Sequence, residues 1–277
     1  MKLGVVPKLN SPEALQLASL MLRYAEGRGL KPYLDVRAKE LISWERTFTL
    51  GKEFVDMVVV IGGDGTVLNT LHLLNDMDTL VATVKYGRRG FLCDVLPYEY
   101  TDLIDRIIEK RFVVVNYMRL RMAYPTDKPM PAVLNEFAIV SSGATRAKVI
   151  RLYVQKNNED LYRRLVGDGL IVSTPVGSTA YNLAAGGPIL DPEMEAIVVT
   201  PLASITVCSR PVVLPADSEV KVVVAKDSPE VLLIADGAYS ITLKPKDYVV
   251  IKRHPKPAKF ARFNIGDYYV KIFERCF

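Results

Sequence analysis

Apolar and polar residues alternate along the first hundred positions in a pattern typical of strands followed by helices. Short apolar runs at 2–6, 58–61 and 80–84 predict buried strands. Apolar residues then recur at helical spacing in three sets: Leu15, Ala18, Leu22 and Ala25; Val67, Leu68, Leu71 and Leu74; Leu103, Ile104, Ile107 and Ile108. Ser11 before Pro12 predicts the start of the first helix. This alternation predicts a parallel sheet covered by helices, a Rossmann-like α/β domain over 1–111.

From residue 112 the pattern changes to short β-rich runs separated by turn residues. These runs lie at 112–124, 131–140, 148–155, 170–175, 196–201, 219–225, 231–237, 239–243 and 247–253. Their spacing predicts an antiparallel, sandwich-like β domain over 112–256. We expect one helix inside it, near 178–185, and a last short strand in "YYVKIFERCF" over 268–277.

Composition restricts the possible functions without choosing one. The 277 residues are 49% hydrophobic, enough for a large core, and the net charge of +5 is spread along the chain. This favours a mildly basic soluble surface over a nucleic-acid interface. No run is long enough for a membrane span, and the N-terminus is expected to be a first strand. Cys93, Cys208 and Cys276 form no CxxC pair, which favours reduced thiols in a cytoplasmic protein.

The segment "VVVIGGDGTVLNTL", 58–71, combines a buried strand, a glycine-rich turn and a helix. At the carboxyl end of a parallel strand, such a turn brings backbone amides close to a ligand and favours an anion such as a diphosphate. The carboxylate of Asp64 is the unusual part, because a simple phosphate cradle would avoid a negative charge. It suggests a proton acceptor or help with a divalent ion, and the alternative is a cap for the following helix.

A second segment, "GDGLIVSTPVGSTAYNLAAGGPIL" over 167–190, is dense in glycine and hydroxyl groups. Neutral hydroxyls and free amides suit a polar, uncharged ligand such as a nucleobase with its ribose, and Tyr181 could stack on the base. The alternative is a capped core helix with glycines for close packing. Between the two segments, Asn135 and Glu136 interrupt an apolar strand, where a carboxylate beside an amide could hold a ribose diol. The alternative for this pair is an edge or turn position.

Taken together, "GGDGT", "NE" and the 167–190 segment resemble the NAD kinase family over most of the chain. The short turn alone is shared with diacylglycerol and sphingoid-base kinases. The resemblance implies phosphate transfer from ATP, or from inorganic polyphosphate, to the 2′-hydroxyl of the adenosine ribose of NAD. It also implies that a final strand returns to the first domain, which would join about 257–277 to 1–111.

The resemblance implies a role for each matching position. Asp64 takes the proton from the 2′-hydroxyl. The positions along the phosphates are Gly63, Gly65 and Thr66. The ribose hydroxyls are held by Asn135 and Glu136. The adenine and ribose pocket comprises Phe91, Thr174, Ser178, Thr179, Ala180 and Tyr181, and the acidic positions that approach the ligand are Asp168 and Asp236.

The chain departs from the family pattern at two places. Lys85-Tyr86-Gly87 stands where many members have Asn-x-Gly, and Lys85 is either a phosphate ligand or a solvated loop charge. Ile205 stands at the family's histidine position, so no histidine acts there. The two histidines are expected to be a partly buried helix residue, His72, and a solvated residue, His254.

The partners implied are NAD and a phosphoryl donor that carries Mg²⁺ or another divalent cation on its phosphates. We expect no metal site made by the protein alone, because the sequence shows no suitable carboxylate cluster. The family implies a homodimer or homotetramer, and neither nucleic acid nor a membrane is expected as a partner. Two alternatives stay open: a lipid kinase of the diacylglycerol or sphingoid type, and a dinucleotide-sensing module without activity.

Overall fold

The computed structural model describes residues 1–74, 78–86, 90–123, 130–142, 149–206, 208–264, 269–270 and 272. The chain divides into two compact units. The first comprises Met1–Asn116 together with Ala258–Phe277, and the second comprises Tyr117–Pro257. The first unit ends a few residues later than the predicted boundary at 111, because the strand that follows that boundary joins the sheet of the first unit.

The first unit is built on a seven-stranded sheet. Its strands are β1 Lys2–Pro7, β2 Lys31–Asp35, β3 Thr47–Phe48, β4 Met57–Gly62, β5 Leu80–Lys85, β6 Val113–Tyr117 and β18 Ala258–Arg262. Its helices are α1 Pro12–Gly27, α2 Asp64–Leu74 and α3 Tyr100–Ile108. The strand order is β3-β2-β1-β4-β5-β18-β6, and the pairs β3/β2, β2/β1, β1/β4, β4/β5 and β5/β18 are parallel.

The hydrophobic pattern explains this sheet. Every residue of β4 is buried, as expected for a central strand covered on both faces. Helix α1 begins where Ser11 Oγ accepts a hydrogen bond from the Ala14 amide at 3.3 Å, with Pro12 in the first turn. Helix α3 turns Leu103, Ile104 and Ile107 to the core. The sheet therefore presents the carboxyl ends of β2, β1, β4 and β5 side by side at one edge.

The second unit is a β-sandwich of two antiparallel sheets. Its strands are β7 Leu120–Ala123, β8 Glu136–Ser141, β9 Ile150–Lys156, β10 Glu159–Gly167, β11 Gly169–Ser173, β12 Ala196–Leu202, β13 Val212–Pro215, β14 Val220–Val224, β15 Val231–Ala235, β16 Tyr239–Leu243 and β17 Tyr248–Arg253. One sheet has the order β10-β9-β14-β17-β7 and the other β13-β12-β11-β8-β15-β16. One apolar core takes residues from both, among them Val154, Val222, Phe137 and Val172. Between β11 and β12 lie a 3₁₀ turn, Val176–Thr179, and the short helix α4, Tyr181–Ala184.

The predicted fold class, a parallel α/β domain with a β-sandwich, is confirmed. The strand that returns to the first unit is β18, Ala258–Arg262, which lies within the segment expected to return, about 257–277, but not in its part 268–277. Tyr269, Val270 and Ile272 are helical, so the predicted last strand is wrong there, and its other residues lie outside the described part of the chain. His254 is not solvated as expected. It is 8% exposed, because its ring packs beside Arg119 and the turn at Lys256, with Nδ1 2.9 Å from Lys256 O.

Candidate active site

The glycine-rich turn links β4 to α2, as its sequence predicts. Gly62 ends the strand, and a Cβ on it would lie 2.4 Å from Thr66 Oγ1, so glycine is required there for close packing. Gly65 faces open space, so packing within the protein does not explain it. The amides of Thr66 and Val67 donate to Gly63 O, at 2.9 and 3.2 Å. Asp64 and Gly65 are the first residues of α2, so their amides have no intrahelical carbonyl partner and are candidates for binding an anion.

The carboxylate of Asp64 is held by a segment that lies beyond β5 in the sequence. The Phe91 amide donates to Oδ2 at 2.7 Å and the Leu92 amide donates to Oδ1 at 3.1 Å. The thiol of Cys93 lies 3.9 Å from Oδ1 and donates to Gly62 O at 3.3 Å. A Cβ on Gly90 would lie 2.7 Å from Oδ1. The carboxylate thus binds the 91–92 backbone instead of capping its own helix, and it has one fixed position.

A cavity of about 610 Å³ opens at this edge of the sheet, over the carboxyl ends of β1 and β4. Its walls include Lys8, Asn10, Arg37, Asp64, Asn69 and Tyr86. From β1 the chain adds β2 and β3 on one side of the sheet, and then returns to add β4 and β5 on the other side. The cavity, over the ends of β1 and β4, therefore lies at the point where the strand order reverses. Ligands of open α/β sheets bind at such switch points. Within the part of the chain that the structure describes, Asp64 is the one carboxylate in the cavity wall.

In the second unit, Asp236 organises the start of β8. Its carboxylate accepts hydrogen bonds from three consecutive amides, those of Leu134 (2.9 Å), Asn135 (2.8 Å) and Glu136 (3.0 Å). Asp236 itself has a positive φ of 44°, which aspartate tolerates better than most residues. The structure thus brings together Asn135, Glu136 and Asp236, three residues that the family resemblance assigns to the ligand site. The Asp236 carboxylate, however, is bound to the backbone amides of 134–136.

Glu136 is buried with an incompletely bonded carboxyl group. It is 7% exposed, and its Oε2 atom has no hydrogen-bond partner among the described residues. Burial, and next the negative charge of Asp236, raise the pKa of Glu136 to about 8, against a hydrogen bond from the Tyr181 amide that lowers it. A buried acceptor without a donor is costly, so it marks a position where a ligand hydroxyl can bind.

This raised pKa predicts a pH-dependent stability. The ordinary pKa is 4.5, so the folded protein keeps a proton that the unfolded chain releases. The free energy of unfolding should therefore fall as pH rises from about 4.5 to about 8, and then level off. Glu136→Gln removes this penalty, so its Tm should exceed that of the wild type by about 3 °C or more at pH 9. At pH 5 the gap should be much smaller.

Thermal melting followed by circular dichroism from pH 5 to pH 9 measures this difference. Glu159→Gln is the matched control, because Glu159 is exposed at the start of β10. Its Tm should follow that of the wild type at each pH. A difference in Tm between the wild type and Glu136→Gln that stays constant from pH 5 to pH 9 would contradict the raised pKa of Glu136.

The hydroxyl groups of the 174–179 segment are engaged within the protein. Thr174 Oγ1 donates to Leu134 O at 2.5 Å and accepts from the Gly177 amide at 3.0 Å. Ser178 Oγ donates to Leu190 O and accepts from the Leu190 amide, and Thr179 Oγ1 donates to Val176 O. These bonds shape the turn, and Tyr181 is left 44% exposed, beside a half-buried Ala180.

The other predicted residues lie as follows. Asp168 is exposed between β10 and β11, and its amide donates to Leu202 O at 2.9 Å. Phe91 and Lys85 are half-buried in the first unit, and Gly87 lies outside the described residues. His72 is 9% exposed within α2, more buried than expected. Ile205, at the position of the family's histidine, is 69% exposed.

Several residues that line the site around Asp64 were not predicted from the sequence. Lys8 and Arg37 each follow the carboxyl end of a strand. Ligands bind at the carboxyl ends of parallel strands, so the predicted strand β1 was a sufficient signal for Lys8. Arg37 follows β2, which was not predicted. Gly90 and Cys93 contact Asp64 across 26 to 29 positions of sequence, and no local pattern signals such a contact.

Comparison with known proteins identifies the family. Residues 3–112 match the model of the ATP-NAD kinase N-terminal domain, and residues 134–263 match that of the C-terminal domain. An NAD kinase of Thermococcus kodakarensis is 34% identical over 267 residues, 95% of each chain. Together the two domains define a phosphotransferase that acts on a dinucleotide. The chain belongs to the NAD kinase family, and its reaction is phosphoryl transfer to NAD.

Two solved structures share the fold. Yeast NADH kinase complexed with NADH superposes with a TM-score of 0.87 at 21% identity, covering 100% of this chain and 87% of that chain. An NAD kinase from Archaeoglobus fulgidus in complex with ATP superposes with a TM-score of 0.78 at 24% identity, covering 99% of this chain and 98% of that chain. The match through both domains decides against the lipid-kinase alternative, which shared only the glycine-rich turn. Over the described residues, no helix combines the length and apolar content needed to span a bilayer.

Proposed function

We propose that the chain transfers the terminal phosphoryl group of ATP, or of inorganic polyphosphate, to the 2′-hydroxyl of the adenosine ribose of NAD, with Asp64 as general base. The observation that carries this proposal is the fixed carboxylate of Asp64. Both of its oxygens accept backbone amides, it lies at the switch point of a parallel sheet, and it is the one acid in the described wall of a cavity of about 610 Å³.

The chemistry follows from this placement. The 2′-oxygen forms a bond to the terminal phosphorus while its proton passes to Asp64, and the bond from that phosphorus to the bridging oxygen breaks, releasing ADP or a shortened polyphosphate. A carboxylate has about four lone-pair positions, so the amides of Phe91 and Leu92 leave room for the ribose hydroxyl. The amides of Asp64 and Gly65 at the start of α2 stabilise phosphate charge.

A divalent cation fits this site only as part of the donor. Asp64 is the one carboxylate in the described wall, and the side-chain oxygens of Asn10, Thr66 and Asn69 are neutral, whereas Mg²⁺ is usually bound by one or two carboxylates together with substrate phosphates. Mg²⁺ is therefore proposed to enter as the complex with the donor phosphates, where it offsets their charge. Each remaining step is carried by residues of the chain.

Recognition of NAD is proposed for the second unit. Glu136, with a buried oxygen that lacks a donor, and Asn135 bind ribose hydroxyls, and Asp236 positions both through their amides. Tyr181, which is 44% exposed, is proposed to contact the adenine. The expected role of Phe91 at the adenine stays a prediction. The buried hydroxyls of Thr174 and Ser178 contribute by fixing the shape of this pocket. Thr179 and Ala180 line it, and Asp168 approaches the second nucleoside.

Purified protein incubated with NAD and Mg²⁺, with ATP and polyphosphate supplied in turn, tests the activity. The product is measured with a dehydrogenase that accepts NADP but not NAD, which reports only 2′-phosphorylation. We expect NADP with at least one donor, and none without a donor. Absence of NADP with both donors, in protein shown to be folded, would refute the proposal.

The fit of Gly90 against Asp64 gives a separate prediction. In Gly90→Ala the new Cβ would lie 2.7 Å from Asp64 Oδ1, so the carboxylate must shift. A shift of this size should lower kcat by about 10–100-fold with little change in the KM for NAD. Gly27→Ala is the matched control, because a Cβ there meets open space. Steady-state kinetics of both variants would contradict the account if Gly90→Ala kept normal turnover.

We further propose a homodimer or homotetramer in the cytoplasm. Strand β6 is at the end of its sheet and leaves Val113 and Val114 47% and 45% exposed, as at an edge that a second chain could cover. Cys93 and Cys208 form no disulfide among the described residues, which suits a reducing compartment. Light scattering coupled to size exclusion measures the assembly, and a monomer at micromolar concentration would argue against it.

A further inference from the structure

Two cationic side chains in the wall of the Asp64 cavity have no part in the mechanism above. Lys8 follows β1 directly, and its amide donates to Ile61 O at 2.8 Å, which fixes the backbone beside the end of β4. The side chain of Lys8 is exposed. Arg37 follows the neighbouring strand β2 and lines the same cavity. Both cations therefore lie at the carboxyl edge of the sheet, on the side of β1 and β2.

Arg37 is held in one orientation by Asp35, which is fully buried. Its Nε donates to Asp35 Oδ2 at 2.9 Å, its Nη2 donates to the same carboxylate, and its amide donates to Oδ1 at 3.1 Å. A guanidinium has five N–H groups, so those of Nη1 can reach a ligand. Since the arginine is already ordered, binding an anion costs little further side-chain entropy. The arrangement suits bidentate contact with phosphate oxygens.

We propose that Lys8 and Arg37 bind the phosphate chain of the donor, beyond the phosphoryl group that is transferred. The inference rests on the proposed function and adds to it the residues that recognise the linear chain of phosphate anhydrides that ATP and polyphosphate share. The transferred group lies at the amides of Asp64 and Gly65, and the next phosphates extend toward β1 and β2. The diphosphate of NAD carries less charge than such a chain, so the pair of cations favours the donor.

Inorganic tripolyphosphate, titrated by calorimetry in the absence of NAD, is the direct probe. We expect Lys8→Gln to weaken tripolyphosphate binding by about 10-fold or more, and to raise the KM for ATP by a similar factor. Arg37→Lys should show the same losses, because lysine keeps the charge beside Asp35 but loses the planar contact. Lys39→Gln is the matched control, an exposed lysine two positions from Arg37 and not among the residues that line the cavity.

The KM for NAD and the affinity for tripolyphosphate together show which substrate Lys8 and Arg37 bind. The KM for NAD should stay within about twofold of the wild type. If it rises and tripolyphosphate binding is unchanged, the cations serve the dinucleotide and the proposal is wrong. Equal losses for ATP and tripolyphosphate support recognition of the chain itself. If both variants, folded by circular dichroism, bind tripolyphosphate like the wild type, the proposed contact of Lys8 and Arg37 with the phosphate chain is refuted, whereas NADP formation by the wild type still supports the proposed function. If the variants bind tripolyphosphate more weakly but the wild type makes no NADP, the contact of Lys8 and Arg37 with the phosphate chain is upheld and the proposed function is rejected.

Discussion

Asp64→Asn is expected to lower kcat by about 10²–10⁴-fold while the KM for NAD changes little. The amide cannot accept a proton at neutral pH. It also has an NH₂ group in place of one oxygen, so the Phe91 and Leu92 amides can no longer each donate to a separate oxygen as they do to the carboxylate. Steady-state kinetics with varied NAD, and NAD affinity by calorimetry, measure the two effects separately.

Asp64→Glu distinguishes charge from position. It keeps the carboxylate, but one added methylene moves it out of the fixed position at residues 90–93, so turnover should also fall. Asp217→Asn, in the turn after β13, serves as a carboxylate control and should behave as the wild type. Near-normal turnover in Asp64→Asn, or an equal loss of binding and turnover, would argue against a general base.

Glu136→Gln is expected to weaken NAD binding by about 10-fold or more above pH 8, with the KM for the donor nearly unchanged. Ribose hydroxyls that donate to Glu136 favour its charged form, which the free protein holds only above a pKa of about 8. Wild-type affinity for NAD should therefore tighten as pH rises toward 8 and then level off. Glutamine resembles the protonated acid, so the two proteins should bind NAD alike at pH 6.

Calorimetry at pH 6 and pH 9 compares the affinities. Titration just below pH 8, where free Glu136 is still largely protonated, in buffers of different ionisation enthalpy should show proton release by the wild type only. The groups that act on Glu136 are the Asp236 charge and the Tyr181 amide, and the substitution leaves both in place. An NAD affinity of Glu136→Gln that equals the wild type at pH 9, or a wild-type affinity independent of pH, would refute the contact of Glu136 with the ribose hydroxyls.

Local sequence pattern was sufficient for the parts of the fold with strong periodicity. Strands β1, β4 and β5 are continuous apolar runs, and α1 and α3 have regular apolar faces. The pattern failed at β2, where Pro32 lies inside the strand and argues against one. It also failed at β10, whose charged residues leave few buried positions, and at β18, which pairs only after the whole second unit.

In the candidate site, too, the local features were predictable from the sequence and the contacts between distant residues were not. The turn around Asp64 is local, so its strand and helix were predictable from residues 58–71. The bonds that fix the acids join distant positions, 27 residues apart for Asp64 and Phe91 and 102 for Leu134 and Asp236. Such contacts depend on sheet order and register, which short segments do not determine. The hydroxyls of Thr174 and Ser178, expected to face a ligand, are satisfied by backbone groups instead.

A structure with NAD and a non-hydrolysable donor bound is the most direct test of the role of Asp64. We expect one carboxylate oxygen at about 2.6–3.2 Å from the 2′-oxygen of the adenosine ribose, with the amides of Phe91 and Leu92 still bound to the carboxylate. A carboxylate turned away from the sugar, or placed at the 3′-oxygen instead, would contradict it.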